Sequence, residues 1–331
     1  MDIRWITAAG VEKRTAAELR GYLDRPDGVL WVHLDQTDAE GMTALSESVH
    51  PNSADLADVA NRSPVPKLHL YKNHHFSAIS GLARGTDGLL HFQPLKTFLT
   101  PGALWTVFGP ATAALSPEAI NGDLDIVRRQ LDDGEIRPTT GFELIAGIRS
   151  VMMRGQEDLI AVAARRIGQL EGRVMDSDPV TAEAVLQDLF ELRHDLQTIR
   201  INAAQAHELY DNLLETLSVD QTVMQIDPQR LARLRRQYAH LKNSADLERE
   251  YLQEVLDLFQ TRVSNELNRF VRKITAFGTI AISWTVVAGV YGMNFANMPE
   301  LTWTYGYPLA IALMVVVSLV LWFLFHRQHW L

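Results

Sequence analysis

The sequence predicts a mixed α/β domain, followed by long helices and two C-terminal membrane-spanning helices. Its 331 residues carry 31 Lys and Arg against 40 Asp and Glu, but the resulting charge of −9 is unevenly distributed. Between Lys273 and Arg327 the only charged residue is Glu300. Because the charges of Glu300 and Arg327 cancel, residues 1–273 hold the whole net charge. Glycine is also absent between Gly172 and Gly278, which favours long helices there. We therefore expect an acidic, water-exposed body joined to an almost uncharged tail.

The composition excludes several classes of function. The chain has no cysteine, which excludes a disulfide framework, a zinc ribbon and a thiol nucleophile. The acidic balance argues against nucleic acid as a partner, because phosphate binding needs a basic face, and it suits cations. The sequence contains no Walker loop, dinucleotide-binding fingerprint, His-Glu-x-x-His or Gly-x-Ser-x-Gly. We therefore expect no enzyme and no organic cofactor.

Residues 1–140 have the pattern of an α/β domain. Four segments are rich in β-branched and aromatic residues and are separated by Gly, Asp and Pro, as is typical of strands. They are residues 29–34, 68–71, 75–79 and 105–108. Two segments, residues 39–49 and 53–60, predict short helices. This pattern leaves the order of the strands in the sheet open.

Long helices are predicted from residue 141 onward. Residues 142–175 and 181–217 show amphipathic periodicity and are split near Pro179, which gives a helical region over residues 141–227. From Pro228, apolar residues recur every three or four positions, and no further proline occurs before Pro299. This predicts a stalk helix over residues 228–273 that continues into the uncharged tail. A single helix from Pro228 to Gly292 would reach roughly 100 Å.

The uncharged tail contains two runs long enough to cross a membrane. Residues 274–299 and 301–325 each exceed the roughly 20 apolar residues that a spanning helix needs. We predict spans at residues 274–291 and 307–325, an extracytoplasmic loop at 292–306 and a tail at 326–331. Basic residues flank the spans on the other side of the membrane and are absent from the loop. The positive-inside rule then places both termini in the cytoplasm, with the chain in the cell (inner) membrane.

Two clusters in the soluble part resemble metal ligands in composition only. The histidines at positions 69, 74 and 75 have a spacing that fits ordinary strand faces, so we interpret them as structural. An acidic group surrounds a predicted turn, and we interpret it as a solvated surface rather than a cation site. Its members are Asp123, Asp125, Asp132, Asp133 and Glu135.

A short motif stands at the outer end of the first span. Residues Tyr291-Gly292-Met293-Asn294 end that span, and Glu300 is the sole acid of the following loop. The tripeptide alone is not specific, but its position between a penultimate and a final span is. In this context the chain resembles the CorA family of magnesium channels, densely over residues 263–301 and weakly over residues 1–140.

The resemblance implies a homopentamer whose first spans line the pore and whose second spans pack outside it. It implies a selectivity filter for hydrated Mg²⁺ at Gly292, Met293 and Asn294, with Glu300 at the mouth. Physical reasoning agrees, because two helices cannot enclose a polar path alone and neutral oxygens hold an ion weakly enough for release. The positions that match pore-facing family positions, or lie close to the same stripe, are Asn268, Val271, Ile274, Thr275, Gly278, Thr279, Ile282, Thr285 and Gly289.

The resemblance also raises the question of regulation by internal Mg²⁺. Many family members sense this ion through paired acids between neighbouring subunits. Asp87 lies near the place of one such acid and is our candidate regulatory metal ligand. The stalk position expected to supply the other acid carries Arg233 instead.

The favoured function is a Mg²⁺ channel driven by the membrane potential, with Co²⁺ and Ni²⁺ as further ions. Its partners are other copies of the chain, the lipid bilayer and divalent ions. One alternative is Zn²⁺ transport, as in the ZntB branch of the same superfamily, although the intact Gly292-Met293-Asn294 counts against it. An alternative of another class is a membrane-anchored scaffold or sensor, which would not need polar residues at helical spacing through its span.

Overall fold

A computed structural model describes residues 1–23, 25–35, 38–61, 63–109, 113–176, 182–219, 226–293, 298, 303–328 and 330. The chain divides into two compact units, Met1–Val255 and Leu256–Leu331. The first unit has a mixed α/β fold and the second is helical. The predicted succession of an α/β region, long helices and two apolar C-terminal helices is therefore confirmed.

One seven-stranded sheet organises the first unit. Its strands are β1 (Asp2–Ile6), β2 (Val11–Arg14), β3 (Val29–Leu34), β4 (Lys67–Leu70), β5 (His75–Arg84), β6 (Leu90–Leu99) and β7 (Ala103–Phe108). Across the sheet the order is β2-β1-β3-β7-β6-β5-β4. The central pair β3 and β7 is parallel, and the other neighbouring pairs are antiparallel.

The core of the first unit lies around β3 and β7. Every residue of both strands is buried, which fits their continuous apolar runs, because a strand covered on both faces loses the usual alternation. Trp31 and Trp105 are among the largest fully buried side chains. The indole Nε1 of Trp31 donates a hydrogen bond to Thr106 Oγ1 at 3.0 Å, which pairs the one polar atom of that ring.

Four helices of the first unit follow the predicted segments closely. Helices α1 (Ala39–Val49) and α2 (Ser53–Ala60) have the predicted bounds, while α4 (Gly141–Asp176) and α5 (Ala182–Val219) differ from them by one or two residues. Asp38 caps α1 by accepting the Gly41 amide at 2.8 Å. Between α4 and α5, an ion pair of 2.7 Å joins Arg173 to Asp188.

A helix that the sequence did not predict, α3 (Pro117–Asp132), carries most of the acidic group. The expectation that these acids surround a turn was wrong, since Asp123, Asp125 and Asp132 lie on the helix itself. The helix forms because Leu124, Val127 and Leu131 recur at helical spacing and are buried, while Ser116 caps its first turn. Asp132 accepts a hydrogen bond from Arg4 at 2.7 Å.

Two long helices complete the chain, α6 (Pro228–Tyr291) and α7 (Gly306–Arg327). The predicted stalk helix is confirmed, and it ends one residue before Gly292. Both α6 and α7 contain a segment long and apolar enough to cross a membrane. Within the second unit, Trp284 Nε1 of α6 donates to Ser318 Oγ of α7 at 2.6 Å, which fixes a contact between the two helices.

Candidate ion pathway

The part of α6 in the second unit has one covered face. Ala276 is fully buried, and Ile280, Ser283 and Val287 are half-buried, at successive spacings of four, three and four residues. This is the spacing of one helix face. Trp284, which bonds Ser318 of α7, lies beside it. We take this face as the one along which α6 packs within its own chain.

The predicted pore-facing residues lie on the opposite side of α6. At about 100° per residue, their stripe is centred roughly 140° around the helix from the covered face. All of its members are exposed except Gly278 and Thr279, which are half-buried. Ile282, for example, exposes 64% of its surface. The structure therefore brings the stripe together on one free face of the helix.

The two glycines of the stripe are not needed for packing within the described part of the chain. A Cβ atom added at Gly278 or Gly289 would meet no other atom within 4 Å. Close packing within the described chain therefore does not require glycine at either position. Each glycine nevertheless weakens the helix by roughly 1 kcal/mol relative to alanine. The two glycines thus leave room for something outside the chain, either an ion and its water or another helix.

The threonines of the stripe present hydrogen-bond acceptors outward. The hydroxyl of Thr275 donates to Val271 O at 2.8 Å, that of Thr279 to Thr275 O at 2.7 Å, and that of Thr285 to Ala281 O at 3.3 Å. A hydroxyl has one donor and two acceptor lone pairs, so each oxygen keeps acceptor capacity after its proton is used. Water molecules around a cation direct their protons outward, and these oxygens can accept them.

The C-terminus of α6 has the electrostatic character that a cation path requires. Gly292 N donates to Ala288 O at 2.9 Å, and Met293 N donates to Val290 O at 3.3 Å. At a helix C-terminus the last carbonyl groups point beyond the helix and carry partial negative charge. Asn294 and Glu300, the other predicted residues of the filter and mouth, lie outside the described residues.

The predicted regulatory residue Asp87 lies in the turn between β5 and β6. One carboxylate oxygen accepts the Leu89 amide at 3.1 Å, and the other lies 2.8 Å from His91 Nε2. The Leu89 amide and the His91 ring hold the pKa of Asp87 below its ordinary value. The carboxylate is therefore charged at neutral pH, exposed, and partly engaged in its own turn.

Sequence reasoning missed a buried aspartate beside two of the histidines. Asp55 is fully buried, with His69 Nδ1 at 2.7 Å and His74 Nε2 at 3.3 Å. The hydroxyl of Tyr71 also donates to it, at 3.2 Å. Within the described ranges, no three His, Asp or Glu side chains are arranged to hold a metal ion. No local signal marks Asp55, because its partners come from a strand and a turn more than ten residues away.

Comparisons by sequence identify related transport proteins. The family model for CorA-like Mg²⁺ transporter proteins matches residues 26–327. The cobalt/magnesium transport protein CorA of Thermotoga maritima is 24% identical over 312 residues, which cover 91% of this chain and 83% of that protein. The Bacillus subtilis protein YfjQ is 33% identical over 310 residues, covering 91% of this chain and 90% of YfjQ.

Comparisons by structure give the same fold over the full length. The complete CorA magnesium transporter of Methanocaldococcus jannaschii superposes with a TM-score of 0.80 at 15% identity, covering 100% of this chain and 99% of that one. The ZntB cytoplasmic domain of Vibrio parahaemolyticus reaches a TM-score of 0.57 at 10% identity, covering 80% of this chain and 98% of the domain. At these identities the likeness shows the fold alone. Because the family match spans almost the whole chain, this protein belongs to the CorA-like Mg²⁺ transporter protein family.

Proposed function

We propose that this chain forms a homopentameric channel in the cell membrane that conducts Mg²⁺ into the cytoplasm, and passes Co²⁺ and Ni²⁺ as well. Both termini are cytoplasmic, and the loop between α6 and α7 faces outside. The inside-negative membrane potential drives entry. It supplies about 2.3 kcal/mol per charge per 100 mV, which is roughly 4.6 kcal/mol for a divalent ion.

The free stripe of α6 is the observation that carries this proposal. Its side chains include Asn268 and three threonines, and the described part of the chain leaves all of these exposed except Thr279, which is half-buried. A polar path cannot be enclosed by two helices, so several copies of α6 must surround it. A scaffold tethered by its spans would have no use for a polar stripe opposite its packed face.

Along this path the residues would act in two ways. Threonine oxygens can accept hydrogen bonds from the waters of a hydrated ion, because their protons are already bonded to the helix. Val271, Ile274 and Ile282 would form hydrophobic rings, which close a pore by dewetting.

At the mouth, the carbonyls of Gly292 and Met293 and the amide of Asn294 would hold the hydrated ion by its first-shell waters. Mg²⁺ gives up these waters reluctantly, so contact through water is the easier mode. Neutral acceptors bind the hydrated ion weakly enough for it to leave, as conduction requires.

Ion flux into proteoliposomes tests this function. The full chain is reconstituted, a negative internal potential is imposed, and uptake of Mg²⁺, Co²⁺, Ni²⁺ and Zn²⁺ is compared with protein-free vesicles. We expect Mg²⁺ uptake that rises with the potential. Preference for Zn²⁺ would indicate the ZntB type of transport instead, and no flux of any of these ions would leave the chain as a membrane-anchored scaffold or sensor.

The assembly is tested separately by the mass of the detergent-solubilised protein. We expect five copies of the chain in one particle. A monodisperse monomer or dimer that still conducts Mg²⁺ would contradict the pentamer.

Regulation forms a further part of the proposal. Internal Mg²⁺ is expected to bind acids of the soluble unit, with Asp87 as a ligand, and to lower conductance. Asp87 is suited to this because its carboxylate is exposed and charged at neutral pH. Currents that stay constant from micromolar to roughly 20 mM internal Mg²⁺, a range that reaches the weak end of divalent binding, would contradict it.

A further inference from the structure

The first unit contains a cavity of about 480 Å³ whose charged lining is mainly positive, although the protein as a whole is negatively charged. It lies where the end of α3, the start of α4 and the start of α6 meet. Four arginines line it, Arg137, Arg154, Arg230 and Arg233, against the single acid Glu143. In a chain of net charge −9, such a concentration of guanidinium groups calls for an explanation.

The acid neutralises only one of the four arginines. Glu143 Oε1 lies 2.5 Å from an Arg230 nitrogen, and Asp227 lies 3.3 Å from the same guanidinium group. Partial burial tends to raise the pKa of Glu143. Hydrogen bonds from the Thr139 amide and hydroxyl, together with the Arg230 charge, outweigh it and hold that pKa below its ordinary value. Glu143 is therefore ionised at neutral pH.

The other three arginines keep their charge available. Arg137 donates to the backbone oxygen of Ala8 at 3.0 Å, which leaves its charge uncompensated. Arg154 and Arg233 form no hydrogen bond or ion pair with the residues that the structure describes. Three guanidinium groups thus border one cavity without a carboxylate partner from the described chain.

The volume of the cavity and its arginines indicate the kind of anion that it can bind. The volume falls within the range of small-molecule sites, which is about 300–1,000 Å³. Guanidinium groups match the geometry of phosphate oxygens and hold them by paired hydrogen bonds. Among the other lining residues, Leu144 and Leu234 are buried, and Ile136 and Gln237 are half-buried. The exposed groups that a ligand can reach are therefore chiefly the guanidinium groups, which favour phosphate groups alone.

We propose that this cavity binds a polyphosphate, with its phosphate groups on Arg137, Arg154 and Arg233. The site lies wholly in the soluble unit, and its existence does not depend on ion transport. The position of Arg233, where the family resemblance leads one to expect an acid, acquires a role in this site as an anion ligand.

Binding to the full chain in detergent tests the site. Calorimetric titrations use ATP without added Mg²⁺, tripolyphosphate and adenosine. Arg154→Gln and Arg233→Gln are compared with Arg165→Gln on α4 and Arg236→Gln on α6, two exposed arginines of the same helices that do not line the cavity. Thermal unfolding of each variant confirms that it is folded.

We expect saturable binding of tripolyphosphate and of ATP with similar affinity and one site per chain, weakened about tenfold by each cavity variant and unchanged by each control variant. Adenosine should not bind, and adenosine binding as tight as that of ATP would overturn the assignment to the phosphates. Absence of saturable binding, or equal losses in the control variants, would overturn the proposal. So would a loss of assembly in Arg233→Gln without nucleotide, since it would mean that acids of another copy of this chain fill the cavity.

Discussion

The two units of this chain place their hydrophobic side chains in opposite environments. In the first unit, Leu30, Trp31 and Trp105 are completely or almost completely buried. In the second, Phe277 exposes 65% of its surface, and among the described hydrophobic residues beyond Leu256 only Ala276 is buried. The first unit therefore builds its own core, whereas the second leaves its apolar side chains exposed, as expected of helices that can cross a membrane. Substitutions of buried residues should therefore lower the stability of the first unit, whereas substitutions in the second unit should chiefly affect ion transport.

The largest expected effect is a loss of ion transport, caused by a substitution in the second unit that leaves the fold intact. Asn294→Ala removes a neutral acceptor from the proposed filter, and five copies would remove a ring of water-mediated hydrogen bonds, each nearly as good as a direct one. We expect Mg²⁺ uptake into proteoliposomes to be abolished while the protein still assembles.

Asn297→Ala serves as the control for this variant, because it removes the same side chain three residues away. It should conduct. If Asn294→Ala conducts like the wild type, Asn294 is only a helix cap, whose loss costs about 1 kcal/mol of stability, and our assignment of the filter is wrong.

The next effect concerns the core. Trp31→Ala leaves a large void in the first unit and removes one of the two side-chain partners of Thr106, so we expect its free energy of unfolding to fall by about 3–5 kcal/mol. Phe277→Ala, which truncates an exposed ring of the second unit, should leave the unfolding of the first unit unchanged. Denaturant unfolding of the detergent-solubilised protein measures both. Equal losses would mean that the two units are not stabilised independently.

Acid should destabilise the first unit through His33. Burial, aided by the positive charge of Arg128, lowers the pKa of His33 to about 4. The unfolded chain then takes up this proton near pH 6.5, whereas the folded chain does not, so stability falls as the pH drops from 6.5 toward 4.

The variant His33→Gln cannot titrate, which isolates this contribution. Between pH 7.5 and pH 5, we expect the wild type to lose about 2 kcal/mol more stability than the variant. Denaturant unfolding at the two pH values measures the difference. Identical losses would show that His33 titrates in the folded protein as it does in the unfolded chain.

A smaller effect is expected at the mouth. Five copies of Glu300 would raise the local cation concentration, but this attraction is screened within about 8–10 Å at physiological salt. Glu300→Gln should therefore weaken the apparent Mg²⁺ affinity about twofold to threefold and leave assembly intact. Concentration-dependent flux measures the change. Complete loss of transport would instead make Glu300 a direct ligand or a structural residue.

Most of the fold could be predicted where apolar periodicity is uninterrupted. The long helices, the short helices α1 and α2, and the strand β3 follow directly from such patterns. Strand β6 was missed because Gln93, Pro94 and Lys96 interrupt its apolar pattern, although the sheet buries all three. Lys96 is accommodated by donating from Nζ to the Asn61 carbonyl at 3.0 Å. Such compensation comes from a distant residue, so no local pattern indicates it.

The candidate sites, too, could be predicted from the sequence only in part. The stripe on α6 was expected from the family resemblance, and the fixed angular relation of residues along one helix places its members on one side of α6. Its place opposite the covered face could not be predicted, since that depends on how α6 meets α7 through Trp284 and Ser318. The arginine cavity was also missed, because Arg154 and Arg233 come from different helices and meet only in the folded chain.

The central claim is that the free stripe of α6 lines an ion path, and two cysteine variants test it most directly. The chain has no cysteine, so each variant carries one thiol. Thr285→Cys lies on the stripe, and Ser283→Cys lies two residues away on the covered face. Both native hydroxyls bond back to the helix, so the two changes are closely matched.

Mg²⁺ flux into proteoliposomes is measured for each variant before and after a water-soluble, positively charged methanethiosulfonate reagent. Modification at position 285 should block most of the flux, because a bulky cation then occupies the path, and position 283 should be unaffected. Equal block at both positions, or block at position 283 alone, would show that the stripe does not line the pore.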